Sequence, residues 1–280
     1  MLIMFEIKVL IDNAAMDAIE AYLIEQELTE WTFIQSDCRY ALIGYFANPE
    51  DGQVALKAFP FELGDPDIRP ISDADWKNEY KKYIRPWSYE TLHWVPVWEK
   101  DYPLTTRDTA VYFDAGMAFG TGSHETTQLC GRAIFDFCKK HADVGSRSMA
   151  DVGCGSGILA ITAKKLGIGD VFGFDIDPDT LSVCRDNLRF NELSDIRFET
   201  ADIAHGLKRP FDLVVANILA PVLIDHRETL AHALKKGGQL VLSGILKSEA
   251  ETVCEAFNPL FRQNGAVSIL GEWASVIYCA

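Results

Sequence analysis

The chain has 280 residues, 48% of them hydrophobic, which is enough for one large or two modest folded domains. Its net charge of −15 argues against nucleic acid as the main partner, because phosphate backbones are bound by basic surfaces. Seven cysteines without a CxxC pair predict neither a disulfide framework nor a zinc site, and they favour the reducing cytosol. Glu6 and Lys8 interrupt the first apolar run, so we expect no signal peptide, and no stretch is long enough to span a membrane.

The first 71 residues have a pattern that predicts a small α+β domain. Their apolar spacing predicts strand, helix, strand, strand, helix and strand, at residues 3–11, 14–26, 31–35, 40–46, 49–59 and 68–71. This order is that of a ferredoxin-like split βαβ domain. It has no glycine loop, no histidine cluster and no paired nucleophile, so we interpret residues 1–71 as a recognition or docking domain.

Acidic side chains are concentrated in this first domain. Residues 1–70 contain 13 acids and 4 bases, so their net charge of −9 is more than half that of the whole chain. Acidity can serve solubility alone. Its concentration here favours a second interpretation, in which the partner is a basic protein.

A linker and a second domain are predicted to follow. Residues 72–86 are charged and aromatic with helical spacing, and we interpret them as the linker. The second domain is predicted over residues 87–280, and it begins with strand-like runs at 93–98 and 109–113.

A glycine-rich loop precedes the first long helix of the second domain, which is predicted over residues 126–140. The free N–H groups at the start of such a helix suit an anionic ligand. Capping by Ser123 or Thr126, with Glu125 in the first turn, would explain the same residues without a ligand.

The stretch Asp151-Val-Gly-Cys-Gly-Ser-Gly157 lies between a buried strand at 148–152 and a helix that begins at Ile158. Strand, glycine turn and helix open a nucleotide-binding βαβ unit, and the glycines permit close approach of a ligand. The spacing is DxGxGxG rather than the GxGxxG of a dinucleotide site.

Polar residues end the strands that follow. Asp175 lies 22 residues after Gly153, a distance that suits an acid bonded to a ribose hydroxyl pair. Asp202 follows the strand predicted at 197–201, and Asn217 ends the strand predicted at 211–217. Each alone is adequately explained as a turn or cap residue. Together with the glycine turn, they predict an adenosine site at the carboxyl ends of parallel strands.

The end of the chain distinguishes two kinds of nucleotide-binding sheet. Helices are predicted at 222–234 and 248–257, and strands at 239–243, 266–270 and 274–279. Only Gly271-Glu-Trp273 joins the last two strands, which predicts an antiparallel hairpin rather than the close of a six-parallel dehydrogenase sheet. We therefore predict an α/β, Rossmann-like, seven-stranded class I methyltransferase domain preceded by a small α+β ferredoxin-like domain.

Five stretches together resemble one family, the bacterial methyltransferases of the large-subunit ribosomal protein L-eleven (L11). They are DAGMAFGTGSHETT at Asp114–Thr127, DVGCGSGILAI at Asp151–Ile161, DIDP at Asp175–Pro178, ANILAP at Ala216–Pro221 and LSGIL at Leu242–Leu246. The resemblance extends from about Trp76 onward, and the acidic first domain is similar to that family's substrate-recognition domain. It implies S-adenosylmethionine-dependent methylation of lysine side chains and the N-terminal α-amine of L11, without a metal.

The predicted cofactor contacts have two sources. The resemblance implies contacts from Thr127, Gly153, Asp175 and Asn217. The residue pattern adds Gly155 in the glycine turn, Asp202 for the adenine amino group and Phe119, with Met117, over the sulfonium. Asn217 also occupies the position from which related amino-group methyltransferases accept hydrogen bonds from the target nitrogen.

The chain departs from the family pattern at two places. It has Ser-His-Glu-Thr-Thr at residues 123–127 where the family usually has Thr-His-Pro-Thr-Thr, and Glu is also favourable in a first helical turn. It lacks one residue before Pro221, which shortens the loop beside the expected target site.

The expected mechanism is in-line attack of a neutral amine on the sulfonium methyl. No residue is an obvious base; His124 is a candidate, and a capping role for it is equally favoured. The expected partner is L11 free of the ribosome or before assembly. Two alternatives stay open, namely an enzyme of the same class that acts on another protein or a small amine, and a non-catalytic adaptor with a cofactor fold.

Overall fold

The computed structural model describes residues 3–12, 15–25, 28, 31–36, 39–72, 81, 84–114 and 124–280. The chain forms two compact units, Met1–Tyr83 and Ile84–Ala280, and each is described by itself. No helix of the described ranges combines the length and apolar composition that crossing a bilayer requires.

The first unit contains one four-stranded antiparallel sheet and two helices. Its elements are β1 (Ile3–Ile11), α1 (Met16–Glu25), β2 (Trp31–Ser36), β3 (Arg39–Phe46), α2 (Pro49–Lys57) and β4 (Asp67–Ser72). The strand order is β2-β3-β1-β4, and the element order is the βαββαβ order expected from the sequence. Asn48 ends the loop before α2 and caps it, because its Oδ1 accepts a hydrogen bond from the Asp51 amide at 2.9 Å.

Apolar side chains from α1, from three strands and from the segment after α2 form the core of this unit. The buried members are Ile7, Ile11, Ile19, Leu23, Trp31, Leu42 and Phe59. The alternation of buried Ile7 and Ile11 with the exposed Leu10 follows the two-residue period of a strand with one face on a core.

The second unit begins with a small three-stranded sheet. Its strands are β5 (Trp87–Tyr89), β6 (Leu92–Pro96) and β7 (Thr109–Phe113), and β6 pairs antiparallel with β5 and parallel with β7. Trp94 is fully buried, stacks on Trp87 with ring centroids 3.7 Å apart, and donates a hydrogen bond to Thr162 Oγ1 at 2.9 Å. The indole thus buries a large apolar area while its N–H has a partner.

A seven-stranded sheet forms the body of the second unit. Its strands are β8 (Ser148–Val152), β9 (Asp170–Asp175), β10 (Arg197–Thr200), β11 (Phe211–Asn217), β12 (Leu234–Leu246), β13 (Ala266–Leu270) and β14 (Trp273–Cys279). Their order is β10-β9-β8-β11-β12-β14-β13, and β14 runs antiparallel to both of its neighbours. The predicted hairpin and the predicted seven-stranded fold class are therefore confirmed.

Helices lie on both faces of this sheet. They are α3 (Glu125–Lys140), α4 (Ile158–Lys165), α5 (Thr180–Phe190), α6 (Ile203–Gly206), α7 (Ala220–Asp225), α8 (Arg227–His232) and α9 (Ala250–Phe257). Val214 and Ala216 of β11 belong to the core shared with Leu223, Leu230 and Phe257 of the last three helices. Successive strand residues point to opposite faces, so covering both faces buries every residue of β8 and β11.

Two sequence predictions about this unit are wrong in their bounds. The single helix predicted at 222–234 is two short helices, α7 and α8, because His226 between them leaves helical geometry at φ −102° and ψ 16°. The strand predicted at 239–243 is the longer β12, which continues through Gly237 at φ 75°. A glycine adopts that left-handed conformation without a steric penalty, so the turn signal did not end the strand.

Candidate active site

The carboxyl ends of the central parallel strands lie side by side at one edge of the sheet. Val152 of β8 is the register partner of Phe174 in β9 and of Ala216 in β11. Thr200 of β10 pairs with Asp175, and Asn217 pairs with Ser243 of β12. Ligands of open α/β sheets bind at this edge, so the topology brings the predicted site residues Gly153, Asp175 and Asn217 to one place.

The glycine turn after β8 folds over the end of β9. Gly153, Gly155 and Gly157 have φ of 68°, 49° and 75°, a left-handed region that favours glycine. The amides of Gly153 and Cys154 both donate to the Phe174 carbonyl at 3.0 Å. A Cβ at Gly153 would lie 2.5 Å from Cγ2 of Ile218, so a side chain there would displace a neighbour.

Asp175 is fixed by two backbone amides. Its Oδ2 accepts from the Gly155 amide at 2.8 Å, and its Oδ1 accepts from the Asp177 amide at 3.1 Å. The next residue, Ile176, is 75% exposed and offers an apolar surface beside the acid. Sequence reasoning missed Ile176, although an apolar residue between two acids just after a strand was an available signal.

Asp202 caps the short helix α6. Its Oδ1 accepts from the His205 amide at 3.0 Å and lies 2.7 Å from His205 Nδ1. The hydrogen bond from the His205 ring lowers the pKa of Asp202 below its ordinary value. The structure therefore supports the capping interpretation of Asp202, and its assignment to adenine stays a prediction.

In this part of the second unit, the buried side-chain oxygens Oγ1 of Thr127 and Oδ1 of Asn217 have no hydrogen-bond partner among the described residues. Thr127 is fully buried and Asn217 is 7% exposed. Native proteins seldom leave buried polar atoms unsatisfied, so such atoms at a strand-end edge indicate a place for a polar ligand. These two acceptors, the glycine cradle and the Asp175 carboxylate fit the hydroxyl, ammonium and sulfonium groups of S-adenosylmethionine.

The start of α3 is attached to β12 beside Asn217. His124 is its N-cap, since Nδ1 accepts from the Thr126 amide at 3.3 Å. Of the two capping residues considered from the sequence, Thr126 lies inside the helix, and Ser123 lies outside the described residues. The Ser243 hydroxyl lies 3.4 Å from the Thr126 carbonyl oxygen. Burial lowers the pKa of His124, and because its Nδ1 is engaged by Thr126, the capping interpretation is the one the structure supports.

A second carboxyl group lies beneath the glycine turn. Asp151 is 1% exposed, and its Oδ2 accepts from the Ala160 amide at 2.9 Å. Burial, together with the nearby charge of Asp175, raises the pKa of Asp151 to about 7, and the Ala160 hydrogen bond only partly offsets this rise. The sequence analysis identified Asp151 only as the first residue of the glycine motif, because its burial and raised pKa cannot be inferred from the motif.

The remaining predicted contacts, Phe119 and Met117, lie outside the described residues. Within the described ranges, no group of three or more His, Cys, Asp and Glu side chains could hold a metal ion.

The sheet order, the DxGxGxG turn and the strand-end acid define a class I methyltransferase domain. The family model described as ribosomal protein L11 methyltransferase (PrmA) matches residues 6–279. The chain belongs to this family, which confirms the resemblance stated from the sequence.

Individual relatives agree with this assignment. The chain is 37% identical over 214 residues to a ribosomal protein L11 methyltransferase of Caldicellulosiruptor saccharolyticus, covering 76% of this chain and 68% of that protein. It is 32% identical over 262 residues to one of Bacillus cereus, covering 92% and 81%. The crystal structure of a ribosomal protein L11 methylase from Lactobacillus delbrueckii subsp. bulgaricus superimposes with a TM-score of 0.60 at 33% identity, covering 68% of this chain and 94% of that chain.

Proposed function

We propose that this protein transfers methyl groups from S-adenosylmethionine to amino groups of ribosomal protein L11, on lysine side chains and on the N-terminal α-amine. The observation that carries the proposal is the buried Oδ1 of Asn217, which has no partner within the described ranges and lies at the same ends of the strands as the glycine turn. An acceptor without a donor suits a target that brings N–H groups, and an amine is such a target. The relatives are named as ribosomal protein L11 methyltransferases, which supports L11 as the protein that carries this amine.

The glycine turn and the residues around it would hold the cofactor. Gly153 and Gly155 let it approach the backbone, Asp175 would accept from its ribose hydroxyls, and the exposed face of Ile176 would cover its purine. When bound, S-adenosylmethionine supplies a methyl group on a positively charged sulfur. The carboxylate of Asp175 makes this edge of the sheet attractive to a cation.

Asn217 would orient the amine. Its Oδ1, with the neighbouring carbonyl of Ile218, accepts N–H bonds and leaves the nitrogen lone pair free to point at the methyl carbon. Both groups are acceptors that cannot take up a proton, so the lysine, with an ordinary pKa of about 10.4, releases its proton to water before attack. Exclusion of water favours the neutral amine because burial disfavours the charged form.

The first domain would recognise the protein substrate. We propose that this domain comprises residues 1–71, that residues 72–86 are the linker and that the catalytic domain comprises residues 87–280. The net charge of −9 over residues 1–70 supports a basic partner, and ribosomal proteins are commonly basic. Contacts with ribosomal RNA phosphates would cover basic side chains, so we propose that the reaction takes place on free L11, before ribosome assembly and in the cytosol.

Mass spectrometry tests the proposal. Purified L11 incubated with the protein and saturating S-adenosylmethionine should gain mass in steps of about 14 Da for each methyl group. Peptide mapping should locate the steps on lysines and the first residue, and L11 with chemically blocked amines should gain none. Unmodified L11 after prolonged incubation would refute the proposal, and methylation of an added small amine in that sample would favour the alternative substrate.

A further inference from the structure

Ile218 lies between two glycines of different elements. On one side its Cγ2 would lie 2.5 Å from a Cβ at Gly153 in the glycine turn. On the other side its backbone N, C and O would lie 2.9, 2.8 and 2.4 Å from a Cβ at Gly244 in β12. Two residues that lack a Cβ therefore allow the Asn217–Ile218 turn to fit between the glycine turn and the neighbouring strand.

The contact with Gly244 depends on an irregularity in β12. The pairing of β12 with β14 shifts register between Leu242 and Ile245, and Gly244 adopts φ 80° there. The Ile218 amide donates to the Ser243 carbonyl at 3.1 Å, which ties the turn to the residue before Gly244. Bulges of this kind redirect a strand locally and recur beside active sites.

The atom nearest to a Cβ placed at Gly244 is the Ile218 carbonyl oxygen. This oxygen is one of the two acceptors assigned above to the target amine. This oxygen is part of the backbone, so it cannot rotate away from a new side chain. An ordinary carbon contact needs about 3.5 Å. A methyl group at Gly244 would therefore displace the carbonyl, and with it Asn217, by about 1 Å.

We propose that Gly244 is a positioning residue for methyl transfer, which fixes the Ile218 carbonyl and the Asn217 amide against the target amine. This inference rests on the proposed function. It predicts an effect on the transfer rate and little effect on cofactor affinity. The glycine turn is anchored separately, by the Phe174 carbonyl and the Asp175 carboxylate, and so keeps its shape when Ile218 moves.

Gly237 is a matched control within the same strand. It has φ 75°, almost the value of Gly244, yet no atom of the described residues lies within 4 Å of a Cβ placed there. Gly237→Ala therefore also places an alanine at positive φ, but without a new contact. A difference between the two variants measures the contact with Ile218 alone.

The experiment compares both variants with the wild-type protein in single-turnover methylation of L11, calorimetry with S-adenosylmethionine and thermal unfolding. We expect Gly244→Ala to lower the transfer rate at saturating substrates by about 100-fold relative to Gly237→Ala. We expect the cofactor Kd values of the two variants to agree within about threefold. Crystals of Gly244→Ala should show the Ile218 carbonyl displaced, and those of Gly237→Ala should not.

Three results would overturn the role proposed for Gly244 and leave the proposed function standing. One is a Gly244→Ala transfer rate within about twofold of the Gly237→Ala rate, and another is a rate loss matched by an equal loss of cofactor affinity. Gly244→Asn and Gly237→Asn repeat the comparison with a residue that tolerates positive φ. If neither Gly244 variant folds while both Gly237 variants do, the contact serves the fold instead. An inactive wild-type protein would refute the proposed function itself, and this inference with it.

Discussion

The Gly155 amide donates a hydrogen bond to Oδ2 of Asp175 over 2.8 Å and so joins the turn after β8 to the last residue of β9. Gly155 follows β8 and Asp175 ends β9, and main-chain pairing sets the register of these two neighbouring strands. The carboxylate is thereby oriented before any ligand arrives, and a site arranged in advance loses less entropy on binding.

Asp175→Ala should weaken binding of S-adenosylmethionine. The substitution removes a charged acceptor whose hydrogen bonds contribute about 2 kcal/mol, which corresponds to a Kd raised about 30-fold. Asp177→Ala is the control, because Asp177 is exposed and its Oδ1 accepts only from the nearby Asp179 amide. Calorimetry on both variants measures the effect. Equal Kd values for the two variants would show that Asp175 does not hold the cofactor.

Asn217→Ala should lower the methylation rate by at least about 100-fold, in line with the loss of other preorganised polar groups. Its stability should change by less than about 1 kcal/mol, because Oδ1 has no partner among the described residues. Activity assays and urea unfolding on the same sample separate the two quantities.

Asn191→Ala is the contrasting variant. The Asn191 side chain is also buried, but it accepts from the Tyr112 amide at 2.9 Å and donates to the Tyr112 carbonyl at 2.6 Å. Its loss should cost about 2 kcal/mol, since a backbone amide and carbonyl lose their partners. Destabilisation of Asn217→Ala by as much as Asn191→Ala would mean that Asn217 is a structural residue.

Asp151 should make the protein less stable as the pH rises. Its pKa in the folded state is about 7, above the ordinary value of 3.8, so the folded state holds the proton more tightly than the unfolded state. This contribution to stability is complete below about pH 4 and is lost by about pH 7, a change on the order of 4 kcal/mol. Asp151→Asn keeps an acceptor for the Ala160 amide and removes the titration.

The measurement for Asp151 is urea unfolding of wild type and Asp151→Asn across pH 4–8. The variant should gain stability relative to wild type as the pH rises, because only wild type must ionise a buried carboxyl group. Taking the difference between the proteins cancels the other titrating groups, provided that they are unchanged. A difference that stays constant over this range would contradict the raised pKa.

Asp212→Asn should destabilise the catalytic domain without changing cofactor affinity. Burial opposes the charge of Asp212, but bonds from Lys235 at 2.7 Å, Ser148 at 2.8 Å and Arg147 at 3.2 Å outweigh it and hold its pKa well below the ordinary range. The loss should be about 2 kcal/mol at pH 7, because Lys235, Arg147 and Ser148 lose a charged acceptor, although Arg147 keeps its pair with Asp143. The network lies where β8 and β11 begin, at the opposite edge from the site.

The pH dependence of this cluster has the opposite sign to that of Asp151. Because the pKa of Asp212 is lowered in the folded state, its contribution to stability is complete at any pH above the ordinary pKa of 3.8. The wild-type protein should therefore remain more stable than Asp212→Asn from pH 7 to about pH 4, and this difference should shrink at lower pH. Asp143→Asn removes the other, exposed partner of Arg147 and should change stability little. Unfolding at pH 7 and pH 3 measures both variants, and an advantage that grows towards pH 3 would contradict the assignment.

Much of the fold follows from local sequence. The bounds of β7, β8, β11 and β13 agree with the predictions, because alternating apolar residues and turn residues are encoded within a few positions. The sequence also predicted the glycine turn, the acid at Asp175 and the closing hairpin, since each has its own short sequence motif. The sequence did not predict the break at His226 or the extension of β12 through Gly237, because packing overrides local turn signals there.

Short sequence signatures were sufficient to identify the class of domain, the family and the strand ends at which the polar residues lie. The folded chain shows which of these residues are already engaged and which have no partner in its described part. Asn217 Oδ1 has no partner among the described residues, whereas Asp202 caps a helix. Ile218 packs against Gly153 and Gly244, which are distant from it in sequence. The reason is physical: burial, hydrogen-bond satisfaction and steric contact depend on residues far apart along the chain, which a linear pattern does not contain.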